Sequence, residues 1–230
     1  MSIIEDSKEI FENIKKVRPV MHNISNIVTA NDCANITLAL GASPLMSYSD
    51  EEVEEIVSVA SSVVINIGTM NSSRLDLFVK AGKAANKFNK PVILDPVGVF
   101  ATKTRTNFTN KLLDEIKFDV VKGNIAEIKF IGGLDVRGKG VDSFDDGEDI
   151  SEVVRKVAIK LGCIVVATGK VDFISDGNTV IKIFNGTSKL KSVTGTGCMT
   201  GSLIACFSYI ASRKKGIMTS IIHMAAMLFP

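Results

Sequence analysis

Apolar residues recur every three to four positions over 3–16, which predicts an opening helix, and the same spacing returns in ANDCANITLALGA (30–42), which runs out at a glycine. Ser49 with Glu52 has the spacing of a capping box and predicts a third helix through Ser61. The period then changes. VVINIG (63–68) is apolar without interruption and stops at a glycine, the pattern of a strand buried on both faces. Helix over 72–87 and strand over 91–97, helix over 104–116 and strand over 119–124 repeat the alternation. A helix over 125–131 leads into a glycine- and acid-rich stretch at 132–149. Beyond it come a helix over 150–161 and a strand over 163–169. Segments 171–177 and 178–184 read as a hairpin turning at Asp176-Gly177-Asn178. A long helix follows from Cys198 to Ser212, then a last helical run from 217. Repeated helix–strand units with continuously apolar strands predict an α/β fold: a mainly parallel central sheet with helices on both faces. No linker or repeat divides the chain, so residues 1–230 are expected to form one domain.

Composition narrows the partners. With 27 basic against 25 acidic residues the formal net charge is +2, which offers nothing to a nucleic acid or an anionic membrane surface. Cys33, Cys163, Cys198 and Cys206 form no CxxC pair, and His22 and His223 are the only histidines, so a structural zinc site is not expected. The charged residues threaded through the first 16 positions leave no signal-peptide core, and no uncharged apolar run reaches spanning length. The chain reads as cytoplasmic, with reduced thiols.

In open α/β sheets ligands gather at the carboxyl ends of the strands. Four predicted strands end there in Gly68-Thr69, Asp95-Pro96, Gly123-Asn124 and Thr168-Gly169. A strand end of this kind is ordinarily just a turn; four on one edge say more than any one. VTGTGCMTG (193–201) opens a helix, where two glycines allow close backbone approach and free N–H groups attract anions. It matches neither a dinucleotide fingerprint nor a Walker A loop, and by itself fits a phosphate site and a glycine-rich turn equally well. Asp95 lies in an apolar strand, where an acid is costly without a partner. Glu127 opens a helix, where it suits either Mg²⁺ and its waters or the helix dipole alone. His22, placed at a strand end, invites pairing with Cys198 as a nucleophile, but nothing else resembles an acyl-transfer constellation.

Taken together, the segments HNISN (22–26) with Asn31, Ala34 and Asn35, LALGASPLM (38–46), NIGT (66–69), PVILDPVG (91–98), KGNIAEI (122–128), ATGKVD (167–172) and VTGTGC (193–198) resemble the hydroxyethylthiazole kinases of thiamine salvage. The resemblance implies a ribokinase-like fold and transfer of a phosphoryl group from ATP, with Mg²⁺, to 4-methyl-5-(2-hydroxyethyl)thiazole. It implies a homotrimer with the thiazole held between neighbouring subunits. Position by position, Asn26, Met46 and Gly68 would line the thiazole pocket, with Gly195 beside the reacting hydroxyl. Asp95 and Glu127 would order the metal, while Lys122, Asn124, Thr168 and Gly197 would face the nucleotide. Cys198 would occupy the place of a catalytic aspartate in related kinases. At a helix start its thiol is expected below the ordinary value of about 8.5, which would make a thiolate base available near neutral pH.

Two departures stand out. Lys122 replaces the family's usual arginine, a point charge in place of a two-pronged fork. The sequence also ends at HMAAMLFP (223–230), short of the family's last helices, which help wall the nucleotide site. Three other readings are a hydroxymethylpyrimidine-type kinase of the same fold, a non-catalytic ligand-binding relic, and a cysteine hydrolase using Cys198.

Overall fold

Neighbouring residues of each central strand belong to different cores. Val63 and Ile65, Val92 and Leu94, Val121, Val165 and Ala167 face one apolar layer, while Val64, Ile93, Val120, Ile164 and Val166 face another. Strands buried on both sides explain why these segments are apolar throughout instead of alternating. The structure is a computed structural model, and it describes residues 3–134, 149–184 and 188–212.

The sheet holds β1 (Val20–Ile24), β2 (Ser43–Leu45), β3 (Ser62–Asn66), β4 (Val92–Asp95), β5 (Val120–Asn124), β6 (Ile164–Thr168), β7 (Asp172–Ser175) and β8 (Val180–Ile183), in the order β2-β1-β3-β4-β5-β6-β7-β8. From β2 to β6 all neighbours are parallel. β7 and β8 add an antiparallel hairpin at one end. The expected mainly parallel sheet is present.

Helices α1 (Ile3–Val17), α2 (Ala30–Leu40) and α8 (Thr196–Ser212) cover one face. The other carries α3 (Val53–Val59), α4 (Leu75–Lys87), α5 (Lys103–Glu115), α6 (Ile125–Gly132) and α7 (Ile150–Leu161). α8 lies between the sheet and the α1–α2 pair, with Leu203 to Ser208 all buried, so it is apolar on every side. Two hydroxyls fix it on the strands: Ser62 Oγ donates to Ala205 O at 3.1 Å and Ser202 Oγ to Asn23 Oδ1 at 3.0 Å. Among the described residues no helix is long and apolar enough to cross a membrane.

Several local expectations change. The box expected from Ser49 and Glu52 does not form: α3 starts at Val53 without a side-chain cap, because Ser49 Oγ turns to Glu51 and Ser47 Oγ takes Glu52. Residues 72–74 form a 3₁₀ turn ahead of α4. β2, three half-buried residues at the sheet edge, has no counterpart among the expected strands. His22 lies in the middle of β1, not at its end. α8 starts at Thr196, two residues before the expected Cys198. Most of the 132–149 stretch and the helical run from 217 lie outside the described residues.

Candidate active site

The chain leaves β1 to form β2 on one side and β3 on the other, so the order of strands reverses at β1, the kind of place where such sheets open a crevice at their carboxyl ends. Parallel register brings the polar strand ends level: Asn66 pairs with Asp95, and Asn124 with Thr168. The start of α8 closes over this edge. Gly195 has φ +84°, and a Cβ there would stand 2.5 Å from Thr29 Cγ2. At Gly197 a Cβ would come within 3.2 Å of Lys122 Nζ. Gly195 is therefore required by its backbone conformation and its approach to Thr29, Gly197 brings the helix start close to Lys122, and the first N–H groups of the helix lack intrahelical partners.

A chain of buried amides connects the expected substrate residues to the expected metal residue. Asn26 Nδ2 donates to Cys198 Sγ at 3.3 Å and to Asn66 Oδ1 at 3.1 Å. Asn66 Nδ2 donates in turn to Asp95 Oδ2 at 2.9 Å, and Lys122 Nζ reaches the same oxygen at 3.3 Å. Asn66 Oδ1 also accepts from Gly68 N at 2.8 Å, while Asn26 Oδ1 accepts from Thr29 N at 3.0 Å. A side chain at Gly68 would collide with the Asn26 amide. Asn66 escaped the sequence reading, although a buried asparagine inside VVINIG carries the same warning of a necessary partner as Asp95 in ILDPV.

Asp95 and Lys122 are almost wholly buried, and Asp95 Oδ1 has no hydrogen-bond partner. Burial pushes the Asp95 carboxyl up, against the pull of Lys122 and Asn66. Burial works against the Lys122 cation, but Asp95 and Glu127 outweigh it and hold the ammonium above its ordinary range. Glu127 Oε1 accepts from Gly98 N at 2.8 Å and Oε2 from Asn124 N at 2.7 Å; Asn124 Oδ1 accepts from Glu127 N at 2.8 Å, which completes a capping box on α6. Burial and nearby Asp95 raise the Glu127 carboxyl. Two carboxylates, one with an orphaned oxygen, suit a hard cation that takes few protein ligands and completes its shell with phosphates and water. Among the described residues no group of three or more His, Cys, Asp or Glu side chains forms a self-sufficient metal cage.

The Cys198 thiol runs opposite to expectation. Burial and then the Asp95 charge raise it, and these outweigh the Thr29 hydrogen bond and the Lys122 charge. Thr168 Oγ1 donates to Gly123 O at 3.3 Å, and Met46 is half-buried just beyond β2. His22 bonds Ser47 O at 3.2 Å, and among the described residues no hydrogen bond joins it to Cys198, so no Cys–His pair forms. A concavity of about 390 Å³ lined by Asn86, Ile116, Phe118 and Cys163 lies at the opposite, amino edge of the sheet.

Comparison with known proteins identifies the family. A model of the hydroxyethylthiazole kinase family matches residues 11–228. A hydroxyethylthiazole kinase of Clostridioides difficile (strain 630) is 67% identical over 198 residues, 86% of this chain and 76% of that protein. The solved structure of hydroxyethylthiazole kinase from Pyrococcus horikoshii OT3 superposes with a TM-score of 0.80 at 35% identity, covering 96% of this chain and 81% of that one. A ribokinase-like superfamily protein from Enterococcus faecalis V583 shares the fold, with a TM-score of 0.65 at 12% identity, over 94% of this chain and 82% of that one.

Proposed function

The chain belongs to the hydroxyethylthiazole kinase family, and from that premise we propose that the buried network at the carboxyl edge is its phosphoryl-transfer site. The reaction is transfer of a phosphoryl group from ATP to 4-methyl-5-(2-hydroxyethyl)thiazole, a step of thiamine salvage. One observation carries the site assignment: a buried carboxylate, Asp95, keeps an unpartnered oxygen beside a buried cation and a helix start.

Phosphoryl transfer asks a protein mainly for positioning and charge neutralisation. Asn26, Met46 and Gly68 line the thiazole pocket, and Gly195 lies beside the reacting hydroxyl. Lys122, held cationic by its two acidic neighbours, and the N–H groups at Gly197 and Cys198 neutralise the transferring group. Thr168 borders the nucleotide. Asn124, whose side chain is engaged in the α6 cap, contributes by placing Glu127. Asp95 Oδ1 would hold Mg²⁺ directly and Glu127 would act through its waters; when bound, the ion screens the phosphate charges. Burial and the Asp95 charge hold the Cys198 thiol above its ordinary range, so it acts as an acceptor only after its own proton has passed to solvent. The thiolate then takes the hydroxyl proton late, once the bond to phosphorus is forming.

The pocket is completed by a neighbouring subunit of a homotrimer. Ile27 and Val28, 80% and 61% exposed beside Asn26, are the apolar surface such a contact would cover. ATP as co-substrate and four free thiols fit a cytoplasmic enzyme.

ADP release in the presence of Mg²⁺, run with the thiazole alcohol, with hydroxymethylpyrimidine and without acceptor, tests the substrate. The thiazole alcohol should support turnover at least about tenfold above the pyrimidine. Preference for the pyrimidine would overturn the assignment. Light scattering should return a trimer, and a stable monomer at micromolar concentration would remove the shared pocket.

A further inference from the structure

Arg105, which no sequence motif singled out, bridges two loops of the site from outside. It lies in the first turn of α5, where Thr102 Oγ1 accepts from its N–H at 3.2 Å and Thr106 Oγ1 bonds Val99 O at 2.9 Å, so the helix start is tied to the loop that follows β4. The side chain then reaches back across that loop. Its Nη1 donates to Ile67 O at 2.8 Å and to Val97 O at 2.9 Å, and its Nη2 donates to Gly68 O at 2.7 Å. Ile67 and Gly68 follow β3; Val97 follows β4. Among the described residues none of its ion-pairing options is taken, so its donors serve carbonyls alone.

We propose that Arg105 is a positioning residue for the transfer, setting the separation between the loop that receives the thiazole and the loop that follows the metal carboxylate. The inference rests on the kinase reading of this edge. From inside, the same two loops are held by Asn66, through Gly68 N, and by Glu127, through Gly98 N. Arg105 supplies the matching restraint from outside. The Gly68 and Val97 carbonyls lie beyond the sheet ladder and need partners, the Ile67 carbonyl accepts from Met70 N at 3.1 Å as well, and water could satisfy each of them separately. One planar fork satisfying all three instead fixes their mutual placement, which a point-charge ammonium cannot do. A misplacement of about 1 Å between reacting groups costs on the order of 10²-fold in rate even when the altered residue is remote from the chemistry.

The test compares the parent with Arg105→Lys and Arg105→Gln, all rates normalised to the folded fraction. For Arg105→Lys, kcat should fall about 10²-fold while the thiazole Kd by calorimetry stays within about threefold. Arg105→Gln should fall at least as far. A folded Arg105→Lys with parental kcat would overturn the proposal. So would a thiazole Kd weakened in step with kcat, which would make Arg105 a binding residue, or failure of both variants to fold, which would make it structural. A parent that releases no thiazole-dependent ADP counts against the kinase reading instead.

Discussion

At the amino edge of the sheet, half-buried polar side chains bond the backbone. Asp119 accepts from Val92 N at 2.8 Å, Ser61 Oγ accepts from Val20 N at 3.0 Å, and Asn86 exchanges two bonds with the main chain of Lys117, at 2.8 and 2.9 Å. At the carboxyl edge Asn26 and Asn66 also accept from the backbone, at Thr29 N and Gly68 N, but Asn26, Asn66, Asp95 and Lys122 are in addition joined side chain to side chain, and Asp95 Oδ1 is left without a partner. The first arrangement ties off strand starts and serves stability. The second leaves a buried carboxylate oxygen, beside a buried cation, available to a ligand. The edges are made of the same residue types; what each side chain bonds to tells the site from the scaffold.

The largest effect that would sharpen this contrast comes from Lys122→Met. It strands Asp95 in an apolar setting, and removal of one partner of a buried pair costs about 3 kcal/mol, read from urea unfolding. Turnover should drop on the order of 10²–10³-fold in the same protein, since the cation also serves the phosphates. A stability loss under about 1 kcal/mol would mean that the pair is not what keeps the Asp95 carboxylate in place.

Next comes Cys198. Loss of a well-placed proton acceptor costs about 10²-fold at the lower end of its range, so Cys198→Ala should lose kcat by about that factor and still bind thiazole in calorimetry. Cys198→Asp should turn over faster than Cys198→Ala, because a carboxylate restores the proton acceptor that alanine lacks. Lost thiazole binding in Cys198→Ala would make the thiol structural.

At the amino edge, Asn86→Ala frees two main-chain groups of Lys117 and should cost about 1 kcal/mol of stability with kcat/KM unchanged. A fall in kcat/KM would break the division of labour between the edges. The smallest effect concerns His22, inside the sheet between them. Burial lowers its pKa from the ordinary 6.5, so its ring resonances should titrate at a lower pH than those of the unfolded chain. The sign follows from linkage: below 6.5 the unfolded chain takes up a proton that the folded one refuses, and this site's contribution to stability falls with pH.

Much of this was legible in the sequence because the carboxyl edge is punctuated: Gly68, Asp95, Asn124 and Thr168 each close an apolar run, and Gly195 and Gly197 mark where a helix starts against them. What stayed hidden depends on tertiary approach. Arg105 sits in a polar helix, where an arginine ordinarily faces solvent, and only the closeness of the β3 and β4 loops gives it three acceptors. The capping-box spacing occurs at both Ser49–Glu52 and Asn124–Glu127, and neighbouring hydroxyls and carboxylates divert the first. β2 is too short to show a period. For Cys198 the helix start was visible, whereas the burial and the Asp95 charge that raise its thiol depend on tertiary approach, the charge coming from about a hundred residues away.

The most direct test sets Asp95→Asn and Glu127→Gln beside Asn86→Ala in one ADP-release assay at saturating Mg²⁺, with thiazole affinity measured on the same preparations. Each carboxyl-edge variant should lose about 10²–10³-fold in kcat while thiazole Kd stays within about threefold, and Asn86→Ala should match the parent in both. Near-parental turnover in Asp95→Asn would contradict the assignment of the carboxyl edge as the transfer site.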